Sequence, residues 1–311
     1  MKRIDQLIAT IRRRTDNEDY SDTEGLAQNE IVEFVDEAQS DLQATILSEL
    51  PNCPLFDTSV TVDLVAAQRA YDLASTTLRP FGGSMVRMVE YSTTGSVNDY
   101  YQLQQATLHE LAVTSSNYPS AYDLRNGTLI LSPTPSSAVG TLRITFPKEL
   151  NRLDIRRGQV ASVTTASSEY TTITLESAPV PDDILEDEDY YICVVDAHGG
   201  VNYYNVPVVS YDSSTRILTL DDDVVTSAGS ITAGDWITFD KFSTTHSQLP
   251  DNCERYLIAY GIWKVLKRDS SVDASEQQQE LVAIKQSIVE ALKTTYRDVP
   301  YIPILNSFYE I

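Results

Sequence analysis

Residues able to do chemistry are present in this chain, but they are scattered. The three histidines, His109, His198 and His246, stand far apart. A general acid or base needs a partner within hydrogen-bond reach, and no motif places one beside any of them. Two acidic stretches offer hard oxygens of the kind that bind Ca²⁺: residues 181–189 (PDDILEDED) and Asp221-Asp222-Asp223. Neither has the ligand spacing or the glycine of a calcium loop, so a solvated turn between strands is the stronger reading of each. Cys53, Cys193 and Cys253 are odd in number and widely separated. They spell no disulfide framework and no zinc site, and read as reduced structural thiols. There is no phosphate-cradling glycine loop and no metalloprotease helix. The expectation is a chain with no catalytic, cofactor-binding or metal site, and so not an enzyme.

Tyrosine is the one abundant group with recognition chemistry, at 18 residues against 7 Phe. It suits interfaces that are apolar at one end and wet at the other. The pairs Tyr100-Tyr101, Tyr190-Tyr191 and Tyr203-Tyr204 could stack on sugars or bases. Adjacent strand residues point to opposite faces, however, so at most one ring of each pair joins any platform.

Composition narrows the function classes. The 311 residues carry 23 Lys plus Arg against 45 Asp plus Glu, a net charge of −22. A sequence-independent nucleic-acid clamp needs cations to neutralise phosphate, so this balance argues against one. It fits a surface that DNA passes without sticking. With 42% hydrophobic residues a substantial core is expected. No apolar run reaches the ~18 residues of a membrane span, and the first residues lack an apolar signal core. Synthesis and assembly in a cytoplasm are expected.

The elements that must position these groups fall into three blocks. Residues 2–14 put Ile4, Leu7, Ile8 and Ile11 on one helical face. Arg12, Arg13 and Arg14 close that helix, cations suited to its C-terminal dipole rather than to phosphate. Residues 15–25 form a polar loop. Residues 30–50 hold a second helical period (Ile31, Phe34, Val35, Ala38, Leu42, Ile46, Leu50), with Asn29 as cap and Pro51 as stop. From residue 57 the period changes to two, with strands expected over 57–64, 85–91, 100–103, 122–131 and 140–146, and a helical turn over 106–113. Asn126-Gly127 between strands signals a type I′ hairpin turn. Residues 151–158 (NRLDIRRG) are polar and mark a boundary. Six further strands follow over 159–239, separated by turn residues in the pattern of a small β-barrel or sandwich.

The last block, residues 249–311, reads as two helices and a tail. Asp251 with Glu254, and Asp273 with Glu276, repeat a capping-box spacing. Leu257, Ile258, Ile262, Val265 and Leu266 stripe the first helix, and Leu281, Ile284, Ile288 and Leu292 the second. The short link between them predicts antiparallel packing. Pro300 and Pro303 then forbid further helix. Tyr301, Ile302, Ile304, Leu305, Phe308, Tyr309 and Ile311 follow, too apolar to be left in water. The expected fold is α+β: an antiparallel helical bundle built from both chain termini, with inserted antiparallel β-regions. Its parts are 1–56 (N-terminal helices), 57–154 (first β-region), 155–243 (β-module), 244–299 (helical hairpin) and 300–311 (arm).

This layout resembles the head-to-tail connector, or adaptor, proteins of tailed bacteriophages. The correspondence lies in Glu30, Ile31, Asp36, Glu37, Ala38 and Gln39 of the long helix, in residues 129–142 (LILSPTPSSAVGTL), and in residues 249–269 (LPDNCERYLIAYGIWKVLKRD). It covers both ends and the first β-region, and residues 155–243 look like an elaboration. The resemblance implies a structural virion protein of the neck, without enzymatic activity. Its relatives assemble as a ring, commonly of twelve copies, under the portal. Such a ring extends the DNA channel and docks tail or nozzle proteins and tail fibres. The resemblance also implies that residues 301–311 contact the portal or a neighbouring subunit. A receptor- or glycan-binding tail-fibre adaptor that uses the β-module is the alternative. An enzyme with an acidic metal site at 181–189 or 221–223 is the weakest reading.

Overall fold

The computed structural model describes residues 2–15, 28–73, 78–83, 85–96, 99–106, 116, 118–179, 190–268 and 274–296. The chain divides into two compact units, one made of residues 1–49 and 150–311 and the other of residues 50–149. The fold is mixed α+β, with the helices of the two chain ends packed together and several β-sheets between them in sequence.

In the first unit, helices α1 (Ile4–Arg14), α2 (Gln28–Glu49), α3 (Glu254–Arg268) and α4 (Ser275–Tyr296) form the bundle. The periodicity read from sequence is the one that is buried. Ile4, Leu7, Ile8 and Ile11 of α1 face inward, as do Ile31, Val35, Ala38, Leu42 and Ile46 of α2. Each fully buried aliphatic side chain contributes roughly 2 kcal/mol of transfer free energy. Leu257, Ile258 and Val265 of α3 and Leu281, Ile288 and Leu292 of α4 complete the core. Two helix starts differ from expectation. Helix α2 begins at Gln28, so Asn29 lies inside its first turn and is not the cap. Asp251 opens a short 3₁₀ turn (Asp251–Cys253) ahead of α3. The Glu254 carboxylate does not close a capping box there. It accepts the Lys2 backbone N–H at 2.9 Å and pairs with Lys2 Nζ at 3.2 Å, tying down the start of the chain instead. Asp273, expected to cap α4, lies outside the described residues, as do residues 16–25 of the polar loop and 106–113's turn beyond Ala106.

The other unit holds β1 (Asp57–Asp63), β2 (Ala70–Asp72), β3 (Met88–Ser92), β4 (Tyr101–Gln102), β5 (Gln104–Gln105), β6 (Ala121–Arg125), β7 (Thr128–Ser132) and β8 (Thr141–Pro147). They form two four-stranded sheets, ordered β1-β8-β3-β4 and β2-β7-β6-β5. Tyr71, Leu129 and Leu131 from one sheet share a core with Val89, Tyr91, Leu142, Ile144 and Phe146 from the other. Asn126 (φ 47°) and Gly127 (φ 72°) both take the left-handed conformation that the β6–β7 hairpin turn requires.

The remaining strands belong to the first unit: β9 (Arg152–Leu153), β10 (Gly158–Ala166), β11 (Glu169–Leu175), β12 (Tyr190–Val195), β13 (Val201–Asp212), β14 (Ile217–Leu220), β15 (Trp236–Phe239) and β16 (Ser243–Thr244). Six of them close an antiparallel barrel in the order β10-β11-β14-β13-β12-β15. Closure removes the exposed sheet edges that an open module of this size would carry. Ile173, Ile192, Val194, Val206, Leu218 and Ile237 fill its interior. Strands β9 and β16, which flank the barrel in sequence, pair parallel to each other.

The polar stretch 151–158, which follows directly on the division between the two units, is a buried polar junction. Asn151, Asp154 and Arg157 are all almost wholly shielded from water. They tolerate burial because each is paired. Arg157 donates twice to the Asp154 carboxylate, at 2.6 Å from Nη2 and 3.0 Å from Nε, and Phe239 N–H donates to it at 2.7 Å. Helix α2 supplies the other half of the junction. Gln39 Nε2 donates to Asn151 O at 2.9 Å, while its Oε1 accepts from Ser247 Oγ at 2.8 Å. Asp36 accepts the Leu153 N–H at 2.8 Å. Replacing Gln39 by Leu strands these partners without water. At about 1–3 kcal/mol per unsatisfied buried group, urea unfolding should show a loss of roughly 2–4 kcal/mol. A loss below about 0.5 kcal/mol, the size expected for an exposed site, would contradict the junction's role.

Candidate assembly site

The residues expected to carry contacts, Tyr301, Ile302, Ile304, Leu305, Phe308, Tyr309 and Ile311, lie outside the described residues, as do His109 and the acidic stretch 181–189. What the structure describes is the helical scaffold and the surfaces on the rest of the chain.

The scaffold is fixed by a ladder of charge. Helix α2 carries Glu30, Glu37, Asp41 and Glu49 along one stripe, at helical spacing. Facing them are Arg268 (2.5 Å from Glu30) and Lys264 (2.6 Å from Glu37) on α3, and Lys285 (2.8 Å from Asp41) and Lys293 (3.5 Å from Glu49) on α4. Tyr256 OH also donates to Asp41, from a ring that is almost fully buried. Exposed pairs of this kind each contribute only about 0.2–1 kcal/mol. Their larger effect is on register, because sliding α3 by one turn would set each cation against the wrong partner. The ladder therefore fixes the register of α3 and α4 against α2.

Among the described residues, the titratable groups do not converge on a reacting atom. His198 sits on an exposed turn, its N–H held by Asp196. His246 lies beside α1, with Nδ1 2.9 Å from Thr245 Oγ1. Burial, then the Arg156 and Arg3 guanidinium groups, hold its pKa below the ordinary value. Cys53, Cys193 and Cys253 are all free and buried, and burial pushes the Cys253 thiol up to about 11. Among the described residues, no group of three or more His, Cys, Asp or Glu is placed to hold a metal ion. At Asp221–Asp223 the Asp222 N–H donates to the Asp221 carboxylate, the Val224 N–H to Asp221 O, and the Asp221 N–H to Pro207 O. A cleft of about 340 Å³ runs between α2 and the barrel, lined by Asn29, Glu33, Arg152, Asp154, Arg157 and Tyr190 among others. Its charges are largely spent on one another: Arg152 reaches Asp36 and Asp240, and Arg157 holds Asp154.

The tyrosine pairs split as strand geometry requires. Tyr203 packs on Tyr170 inside the barrel, while Tyr204 lies against Phe242 and Asn151. Tyr190 packs edge-on against Phe239, and Tyr191 takes Lys241 over its ring at 3.8 Å. In the all-β unit, Tyr100 stacks under Arg143, whereas Tyr101 turns to the buried ring of Tyr91 at 5.3 Å. Tyr118, from a different segment, meets the same ring at 5.9 Å. This three-ring cluster was not visible in sequence. Its members stand ten and seventeen residues apart, a separation with no periodic signature.

Residues 2–186 match the family model described as SU10 adaptor protein. The chain belongs to that family. Membership makes it a phage adaptor, a structural component of the virion that binds other virion proteins, of a family that is not enzymatic. None of the curated proteins matches it. The matched span runs from α1 through both sheets of the all-β unit and ends between β11 and β12 of the barrel. The family pattern at Asp36, Glu37, Ala38 and Gln39 now has a physical meaning. Asp36 and Gln39 hold the barrel's connecting strands, Glu37 belongs to the charge ladder, and Ala38 is small enough to be fully buried between helices. No helix among the described residues is long and apolar enough to cross a membrane.

The half-buried imidazole of His246 gives a pH test of the scaffold in this adaptor. A histidine whose pKa is depressed by folding favours the folded state above its unfolded pKa of about 6.5, and that contribution is lost as pH falls. An NMR titration should give His246 a midpoint below 6.5. A midpoint at or above that value would place the ring in solvent or beside an anion.

Proposed function

We propose that this chain is the head-to-tail connector subunit of a tailed bacteriophage, forming a ring between portal and tail. The observation that carries the reading is the adaptor-family match over residues 2–186, which spans α1, α2 and the whole all-β unit. The bundle that these helices form with α3 and α4 packs together helices from both ends of the sequence, and residues 300–311 act as its assembly arm. The ring is self-assembled, with twelve copies as the working number, in the cytoplasm of the host bacterium. It joins the portal on one side and tail or nozzle proteins, with their fibres, on the other. Genomic DNA passes through it without specific binding.

The charge of −22 supports that last role. A polyanion held by many cations leaves slowly, because every phosphate contact adds to affinity through released counterions. An acidic wall has the opposite effect and leaves DNA free to move along the channel. The role asks for positioning and docking, not for bond chemistry, which accords with titratable groups spread among structural tasks.

Deleting residues 300–311 removes the arm and leaves every described element in place. Mixed with portal particles, the truncated chain should fail to form the complex seen by sedimentation with the full chain. Its melting temperature should stay within about 2 °C of the parent. Assembly indistinguishable from the full chain would remove the arm from the mechanism.

A further inference from the structure

The all-β unit exposes an apolar surface that its own fold does not use. Seven large hydrophobic residues are exposed among those described: Val65, Tyr101, Tyr118, Val139, Val209, Val225 and Val282. Scattered singly, such residues need no explanation. Three of them, however, Tyr101, Tyr118 and Val139, meet at one buried residue, Tyr91. Tyr101 and Tyr118 lie on it at 5.3 and 5.9 Å. Tyr91 OH donates to Val139 O at 2.6 Å. The next residue, Gly140, lies against the same ring and accepts the Leu64 N–H at 3.0 Å. Tyr101 and Tyr118 remain 41% and 45% exposed, so the cluster is a platform and not a core. Burial, with Tyr91 and Tyr118 beside it, pushes the Tyr101 phenol up to about 12, so it stays a neutral donor under physiological conditions.

The chain also contains a segment with the matching chemistry. Pro300-Tyr301-Ile302-Pro303 places two prolines three residues apart, in a run followed by Ile304, Leu305, Phe308, Tyr309 and Ile311. Prolines at this spacing favour the extended polyproline helix, which repeats every three residues and leaves its carbonyls unbonded. Shallow aromatic platforms with outward phenols recognise this form: the rings receive the prolines and the phenols donate to the free carbonyls. The preformed conformation lowers the entropy lost on docking.

We infer that the Tyr91–Tyr101–Tyr118 platform of one copy is the docking site for residues 300–305 of a second copy. The inference rests on reading residues 300–311 as an assembly arm, and it names the surface that receives it. Arm and platform are different patches, so the contact is heterologous. A heterologous contact between identical chains propagates head to tail and closes a ring when the rotation allows, whereas a self-complementary patch would stop at a dimer. One arm and one platform per copy give every subunit of a closed ring the same two contacts.

The probe is a synthetic peptide of residues 297–311 carrying a fluorophore at its N-terminus, titrated with the full chain and followed by anisotropy. Saturable binding is expected. Tyr101→Ala with Tyr118→Ala should weaken it at least tenfold without moving the thermal melt, since both rings are half exposed. A second variant, Val139→Glu, should weaken it without touching either ring. In the peptide, Pro300→Ala with Pro303→Ala should cost several-fold. Equal binding to parent and platform variants would overturn the platform while leaving the arm an assembly element docked elsewhere. No saturable binding to the full chain, with binding to portal particles, would overturn docking between copies. Loss of the arm reading itself is read separately, from normal assembly of the chain lacking 300–311.

Discussion

The side chain of Gln39 is sealed from water by the helices and strands around it, and its amide is bonded at both ends. It grips the segment that leads into the barrel, through Asn151 O, and the segment that leads out of it, through Ser247 and Gln248. The barrel is inserted in sequence between α2 and α3, so its two connections must be brought together and held. An apolar contact would allow them to slide, because burial has no direction. A buried amide does not, because any displacement leaves a donor or acceptor unsatisfied at a cost of about 1–3 kcal/mol. Asp36, one turn earlier, and Gln43, one turn later, repeat the device on the same face.

The outer face of the same helix uses charge for a related end. The acidic stripe from Glu30 to Glu49 faces cations drawn from both α3 and α4. Individually these pairs are weak, and collectively they define one register. Much of the chain's surplus acidity lies elsewhere, on turns such as Asp221–Asp223, where the Asp222 N–H donates to the Asp221 carboxylate. A net charge this negative keeps copies from associating indiscriminately, so assembly depends on specific apolar contacts.

The helices were legible in sequence because a period of 3.6 residues is imposed by burial, and burial is what the hydrophobic pattern records. The same holds for the β6–β7 hairpin, where Asn126 and Gly127 meet a conformational demand few other residues satisfy. All six barrel strands were readable as strands, whereas the choice of closed barrel over sandwich depended on β10 pairing with β15, a contact between residues about 78 apart. That Asn151, Asp154 and Arg157 of the polar stretch 151–158 are buried was not legible, for a physical reason. Polarity in a sequence reports what a side chain can bond, not whether water is the partner. Glu254 illustrates the same point: its spacing from Asp251 matched a capping box, but a nearby N-terminal segment competed for the carboxylate and won. The tyrosine platform had no local signal at all, since three segments that are distant in the chain build it.

The most direct measurement of the connector role is a cryo-EM reconstruction of the neck in intact virions. The expected map shows a closed ring of this chain between portal and tail, with an acidic inner wall and each residue 300–311 segment engaged on a neighbouring protein. A chain found instead at the fibre tips as a trimer, or a ring whose inner wall is predominantly basic, would contradict it.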